Sequence, residues 1–452
     1  MSNLPETPTP KHDPFAALRQ PNFLLFVSSR MFSQMGSSLL QAVMAWQVAH
    51  IGDSIAHSAL NLGFLGLARF VPALGISLIG GAVADTHNRR HIIIASQSVP
   101  LICSILLALA TFGHWQSLEL IFGLTVIMGF ASAFEGPART SILPTIVRPE
   151  TFSNAVTVGS TLGAVGMVSG PALAGLAIEA AGMGTAYAVF SIFSLGAILP
   201  IVLLRYKQSP GERRGVNLAA VKEGINFVRK RQVLLGAMSL DMFAVIFGGA
   251  QALLPIYASD ILHVGAAGYG ILSASSQAGA FAMSLLLVAR PPVKRTGRAL
   301  LYAVMVYGVF TMAFGLSRSF PLSIAFFMML GAADQISVVM RHTTIQMSTP
   351  DELRGRVSAV NQVFIGASTQ VGAMESGFVA ALTGATFSVV SGGFGAVLIA
   401  MLIAWRMPQL FNFRLGARQP GSDEAAAVPV ESTIDVKVEG MLEKPASVTG
   451  VS

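Results

Sequence analysis

Lysine and arginine fall almost wholly in every second gap between the long apolar runs of this 452-residue chain. About twelve runs can be counted, each of roughly 20 residues or more, enough to cross a hydrocarbon core of about 30 Å at 1.5 Å per residue. Runs of that length read as membrane-crossing helices, so the expected fold class is an all-α membrane protein. Composition agrees: 53% hydrophobic and only 11% charged residues do not describe a chain that stays dissolved in water. With most of the length inside the spans, no room is left for a soluble catalytic domain. The net charge of +7 is no nucleic-acid signal, because the basic residues sit at helix ends instead of clustering with aromatic residues on one surface. A single cysteine, Cys103, lies within an apolar run; it excludes an intrachain disulfide and argues against a multi-cysteine metal site.

The runs span roughly 22–49, 57–84, 91–112, 117–136, 154–180, 184–204, 233–258, 267–290, 299–317, 321–346, 356–382 and 385–407. The first, third and fifth gaps carry no Lys or Arg, whereas the second holds Arg89 and Arg90, the fourth Arg139 and Arg148, and the eighth Arg290, Lys294, Arg295 and Arg298. Arg354 and Arg356 continue the series in the tenth, and Arg318 alone breaks it in an odd gap. By the positive-inside rule the even gaps and both termini are cytoplasmic. The expected organisation is a cytoplasmic N-terminal segment (1–21), a six-helix bundle (22–204), a linker (205–232), a second six-helix bundle (233–408) and a disordered cytoplasmic tail (409–452). Within the linker, Leu218, Val221, Ile225 and Val228 recur at helical spacing after Asn217, which predicts an interfacial amphipathic helix with Asn217 as its cap.

Two local matches point to a duplication. Ser29-Arg30-Met31-Phe32 in the first span corresponds to Leu240-Asp241-Met242-Phe243 in the seventh, and the stretch from Arg139 to Pro149-Glu150 corresponds to that from Arg341 to Pro350-Asp351. Six-plus-six repeats are the usual build of secondary transporters, which rock one half against the other around a midplane site. The second gap, running from Gly81 through Asp85, Thr86 and Asn88 to Arg89 and Arg90, resembles the signature loop of the major facilitator superfamily, with Thr86 in place of a basic residue and Asn88 in place of a glycine. In the fifth span Gly166, Gly170, Pro171 and Gly175 resemble that superfamily's antiporter motif, although Ala174 replaces a usual glycine. The stretches 137–154, 223–231 and 349–356 look most like its enterobactin-exporter branch. This resemblance covers nearly all of the chain before the tail. It implies twelve helices in two pseudo-symmetric bundles, and an Asp85 that binds the N-terminus of the eleventh helix near Arg354 and Arg356 to hold the inner side shut.

Ionisable groups at membrane depth cost at least about 2.5–3.5 kcal/mol near a helix centre, so each deep one is a functional candidate. Arg30 and Asp241 lie about 12 Å into their spans and Asp334 about 18 Å into its own. Glu135 and Arg341 sit nearer the cytoplasmic ends of the fourth and tenth spans, and Arg69 and Glu375 in the outer parts of the second and eleventh. The third, sixth, ninth and twelfth spans have no charge in their interiors, as helices facing lipid require. The candidate substrate or proton pathway is therefore Arg30, Glu135, Asp241, Asp334 and Arg341. The candidate gating set is Arg69, Gly81, Asp85, Arg89, Arg90, Gly170, Pro171, Arg354, Arg356 and Glu375. Asp334 is either a proton or substrate group or a static partner of a neighbour. Arg30 and Asp241, at matched depth, are expected to pair across the halves, and Arg69 and Glu375 to meet as an outer gate. No deep arginine of the drug-proton antiporter kind is expected in the fourth span.

The expected function is export of a small organic solute, siderophore-like or drug-like, across the bacterial inner membrane by alternating access, with protons as the coupling ion. The chain is expected to act as a monomer in the lipid bilayer, without cofactor, nucleic acid or covalent chemistry. No G-x4-G-K-[ST] phosphate loop marks a primary pump, and no H-E-x-x-H or G-x-S-x-G stretch marks a hydrolase. The competing readings are an uptake symporter of the same fold, and a non-transporting membrane receptor or assembly partner.

Overall fold

A backbone in lipid has no water to satisfy its amides, so each apolar run must close its hydrogen bonds within itself. In the computed structural model, which describes residues 16–206 and 218–415 with the side chains of 73–86 and 218–221 outside that description, every run does so as a helix. In chain order these are α1 (Pro21–His50), α2 (Ile55–Thr86), α3 (Arg89–Phe112), α4 (Leu118–Ile146), α5 (152–181), α6 (183–203), the linker helix (Leu218–Lys230), α7 (Gln232–Ile261), α8 (Gly265–Val288), α9 (Thr296–Leu316), α10 (Phe320–Met347), α11 (Asp351–Thr383) and α12 (Ala385–Arg406). The twelve expected passages are present, six in each half.

Three boundaries differ from expectation. The fourth span does not end near residue 136: after a break at Ala133 and Phe134 the helix resumes as Glu135–Ile146, which carries Arg139 within a helix. The third helix starts two residues earlier than expected, at Arg89, because Asn88, with an ordinary φ of −65°, accepts from the Arg90 amide through its side chain and caps it. The segment expected to be disordered from residue 409 is ordered as far as Leu415. A short helix, Pro408–Phe411, buries Leu410 against Gly236 and Gly297, and the Leu415 amide donates to the Lys294 carbonyl. Two apolar side chains, Leu410 and Phe413, are enough to seat this stretch against the ends of α7 and α9.

Between α5 and α6 there is no loop. Gly182 alone turns the chain, at φ +83° and ψ 172°, a region of backbone space that is essentially glycine-only. A Cβ there would touch nothing, so substitution isolates the backbone term. Gly182→Ala is expected to cost about 1–3 kcal/mol, read as a lowered unfolding temperature of the purified protein with its surface contacts unchanged.

The outer faces show how the bundle meets lipid. On α3, α6, α9 and α12, large apolar side chains such as Leu109, Ile192, Val309 and Leu398 are exposed, and no charge interrupts those helix interiors. By contrast α1 and α11 fall short of the apolarity of a typical span, because serine and glutamine recur along them. Polar helices at this depth must face protein or a water-filled space. The linker helix is present as expected, but it packs by Gly224 and Val228 on α7 and α11, in a cluster with Leu234, Met238, Val357 and Val360, and leaves Ile225 exposed. Asn217 lies outside the described residues.

The lone basic residue of the odd gaps also finds a reason. The Arg318 guanidinium donates to the Gly315 and Ser317 carbonyls and to Thr386, so it serves as a cap on the last turn of α9.

Candidate functional site

The two halves meet most closely toward the arginine-poor end. There Gly63 and Gly66 of α2 lie against Gly377 and Met374 of α11, and Gly175 of α5 lies against Gly270 of α8. A Cβ on Gly377 would stand 2.5 Å from the Gly63 Cα, and one on Gly270 would stand 3.0 Å from the Gly175 Cα. Such backbone-to-backbone approach is possible only between residues without side chains. Tyr269 of α8 completes the seal: its hydroxyl donates to the Ala42 carbonyl of α1 and its ring stacks on Trp46 at 5.3 Å. At the arginine-rich end no ion pair joins the described residues of the two halves.

Beneath this seal, at mid-depth, lies a cavity of about 400 Å³ lined by both halves. α1 contributes Gln34, Ser38 and Gln41 at helical spacing, α2 contributes Arg69, and α5 contributes Pro171. The other half supplies Gln277 from α8, Tyr307 from α9, Asp334 from α10 and Gln370 from α11. α7 contributes backbone as well as side chains. Its α-helix stops at Phe247, Gly248 and Gly249 begin a 3₁₀ stretch to Leu253, and a π-turn closes the span at Ile261. The Gly248 carbonyl accepts from the Ala250 amide at 2.8 Å and from the Tyr307 hydroxyl at 2.7 Å. A helix broken beside a midplane cavity is the usual construction of a transporter binding site.

Of the candidate pathway residues, only Asp334 lines this cavity. Among the described residues its carboxylate makes no hydrogen bond or ion pair, although it sits on a helix otherwise packed on two sides by α8 and α9. Arg30 lies over Gly159 and Gly163 of α5, at 3.6 and 3.9 Å from the positions that a Cβ would take, and it makes no ion pair among the described residues. The expected Arg30–Asp241 pair across the halves is not formed. Asp241 instead pairs with Arg341 inside its own half, α7 to α10, with both side chains at most 8% exposed. Matched depth placed Arg30 and Asp241 at one level, but Asp241 turns away from the other half toward the adjacent helix.

A counterpart of that pair exists in the first half and was not anticipated. Arg139, expected in a loop, is buried on α4 and bonds Glu135 one turn earlier at 2.5 Å. Glu135 also accepts from Ser33 at 2.9 Å and from Gln97 at 2.6 Å, and Arg139 donates to Ser29. The i, i+4 spacing of Glu135 and Arg139, and the alignment of Arg139 with Arg341, were the signals available in the sequence. Among the described residues each half thus buries one arginine, on α4 or α10, with a carboxylate drawn from a different helix position.

The gating candidates divide. Arg69 and Glu375 do not meet: among the described residues the Arg69 guanidinium hydrogen-bonds the Gln41 carbonyl alone, at 3.5 Å, and Glu375 accepts from its neighbour Ser376. The two groups sit on a tightly packed helix pair, but glycine contacts close that pair without an ion pair. Gly170 presses on α1, where a Cβ would stand 2.6 Å from the Met35 carbonyl, and the Pro171 carbonyl abuts Gly270 across the halves. Arg89 donates to the Ser141 carbonyl and Arg90 to the last carbonyls of α6, at Ile201 and Val202, tying α3 to its neighbours. Arg354 pairs with Asp351 at 2.7 Å and Arg356 with Glu223 of the linker helix at 2.5 Å, both at the surface. Gly81 and the Asp85 side chain fall in the undescribed stretch.

Comparison with known proteins places these features. A family model described as "Transmembrane secretion effector" matches residues 12–437. Among curated proteins, the enterobactin exporter EntS of Citrobacter koseri is 23% identical over 394 residues, covering 87% of this chain and 94% of its own. The same exporter from Escherichia coli K12 matches with equal identity and coverage. Among solved structures, the nucleoside transporter NupG superposes with a TM-score of 0.66 at 13% identity, covering 85% of this chain and 99% of its own. A bacterial homologue of the lysosomal transporter Spinster gives 0.63 at 16% identity, covering 88% and 97%. Twelve helices in two sealed halves, a polar cavity between them and a family match over nearly the whole length have one meaning: the chain is a multi-pass transporter of the major facilitator superfamily and belongs to its transmembrane secretion effector family.

Proposed function

We propose that this protein exports a small organic solute from the cytoplasm in exchange for protons, by alternating access between its halves. The observation that carries the reading is the Asp334 carboxylate, without a hydrogen-bond or ion-pair partner among the described residues, facing a polar cavity that lies under a seal of glycine contacts. A carboxylate held away from any fixed cation gains or loses its proton as its access to water changes, which is what an exchange mechanism needs. Loop charge supports a cytoplasmic placement of the arginine-rich end and of both termini, so the conformation described is closed to the outside. In this reading Pro171 and Gly170 sit where α5 pivots on α1 and α8, and Asp85 with Arg354 and Arg356 forms the inner closure. Arg30 lines the inner approach. The Glu135–Arg139 and Asp241–Arg341 pairs hold helices in register within each half while the halves move. A catecholate siderophore is the first solute to test, because the curated relatives are named enterobactin exporters.

The test uses everted membrane vesicles with an acidic interior. Vesicles bearing the wild-type protein are expected to accumulate a labelled catecholate siderophore, to lose it on addition of a protonophore, and to lose at least about tenfold of the rate with Asp334→Asn. Gradient-independent accumulation, or an unchanged rate in the Asn variant, defeats proton exchange. Net import by intact cells defeats export and favours the symporter.

A further inference from the structure

Two groups of opposite sign face one cavity from opposite halves without neutralising each other. Arg69 lies 14 residues from the arginine-poor end of α2 and Asp334 lies 14 residues from the same end of α10, so both stand about 21 Å into the bundle at 1.5 Å per residue. Both line the cavity, and no salt bridge links them. Among the described residues the one hydrogen bond of the Arg69 guanidinium is its long contact to the Gln41 carbonyl. The side-chain amides of Gln34, Gln41, Gln277 and Gln370 on the same walls make no hydrogen bond among the described residues. Polar groups at this depth are normally satisfied within the protein, and those left open in a cavity are satisfied by water or by a ligand.

We infer that the cavity recognises a dipolar solute, with an anionic oxygen set against Arg69 and a protonated amine set against Asp334, its remaining polar groups met by the glutamine amides. The inference rests on the transporter reading and replaces its first trial solute, since a catecholate offers anionic oxygens but no ammonium group, with a dipolar substrate class. Guanidinium is suited to a carboxylate or phenolate because it offers parallel N–H donors, and an ammonium group is the natural partner of a carboxylate in a site partly withdrawn from water. A lipophilic cation would satisfy Asp334 but leave Arg69 and the amides unpaired, and an apolar solute would leave all of them so. The arrangement also connects binding to the coupling ion. Amine and proton compete for the same Asp334 oxygens, so arrival of a proton from outside expels the amine arm while the anionic arm still rests on the other half. A volume of about 400 Å³ admits a solute of amino-acid size or somewhat larger.

A matched series with one aromatic ring tests this: tyrosine carries both poles, tyramine only the amine, and 4-hydroxyphenylpropionate only the acid. Binding of tritiated tyrosine to the full-length protein in lipid nanodiscs, displaced by each unlabelled compound, gives the discrimination directly. The wild-type protein should prefer tyrosine over either single-pole compound by about tenfold or more, the effect of one charge-assisted pair. Arg69→Gln should erase the preference over tyramine and keep that over the acid; Asp334→Asn should do the reverse; Arg69→Lys should retain most of the wild-type pattern, which guards against a folding defect. Equal displacement by all three compounds, absence of saturable tyrosine binding, or full discrimination in Arg69→Gln overturns the inference. Vesicle transport separates this from the functional reading: proton-driven flux without discrimination removes only the dipolar site, and discrimination without flux removes only the exporter.

Discussion

Arg341→Leu is expected to lower the stability of the protein by about 3–5 kcal/mol, the loss typical of breaking a buried ion pair from one side. The reason is what it leaves behind. Asp241 is at most 8% exposed, and among the described residues its ion-pair partner is Arg341, so removal of the guanidinium strands a carboxylate in a site that water does not reach. Asp241→Asn should cost a comparable amount by stranding the arginine, whose Nε already lacks a hydrogen-bond partner among the described residues. The double variant Asp241→Leu with Arg341→Met removes both charges at similar volume, and should recover most of the loss. Thermal unfolding of the detergent-purified full chain, followed for the wild type, both single variants and the double, reads these differences. A double variant no more stable than the singles would show that the pair is not a closed unit and that Arg341 has a further anionic partner.

The second large effect concerns the seal. Gly377→Val places a branched side chain where the Gly63 backbone already stands within contact distance of a bare Cβ position, and a backbone neighbour cannot yield as the end of a flexible side chain can. Relief requires α2 and α11 to separate at the arginine-poor end, so the variant should populate a conformation open on that side and lose transport, while each half keeps its own core. The native chain has a single thiol, Cys103, and it is buried, so a labelling assay needs little background work. In a Cys103→Ser background, Gln41→Cys in the cavity wall should be shielded from a membrane-impermeant maleimide added outside intact cells, and should become reactive when Gly377→Val is added. Unchanged shielding with retained transport would mean that the two helices part without passing through this contact.

Much of the architecture is readable from residues alone because the forces that set it act along the chain. Apolar length, loop charge and the absence of charge on the third, sixth, ninth and twelfth spans are one-dimensional properties, and the helices follow them closely. What failed were statements about direction around a helix. Arg30 and Asp241 share a depth, yet the azimuth of Asp241 points to α10, and depth carries no information about azimuth. Arg139 read as a loop charge because positive residues usually mark a span's end; only its spacing from Glu135 hinted that the helix continues and carries it inward. The candidate cavity was half legible. Asp334 stood out as a deep carboxylate, whereas Gln34, Gln41, Gln277 and Gln370 did not, since an amide in a helix has no signature until its neighbours are known. The break in α7 was written in Gly248-Gly249, a pair that weakens any helix, but what keeps it open is the Tyr307 hydroxyl some sixty positions away.

The stack of Trp46 on Tyr269 gives the seal an optical property of its own. Trp46 is 6% exposed and belongs to one half, while Tyr269 belongs to the other, so parting of the halves changes the surroundings of that indole from packed ring to water. The remaining two tryptophans, Trp115 and Trp405, are largely exposed, and their replacement by phenylalanine would leave a single emitter at the interface. Its emission should shift to the red when the arginine-poor side opens and return when it closes, so the protein carries a native reporter of its transport cycle that needs no added dye.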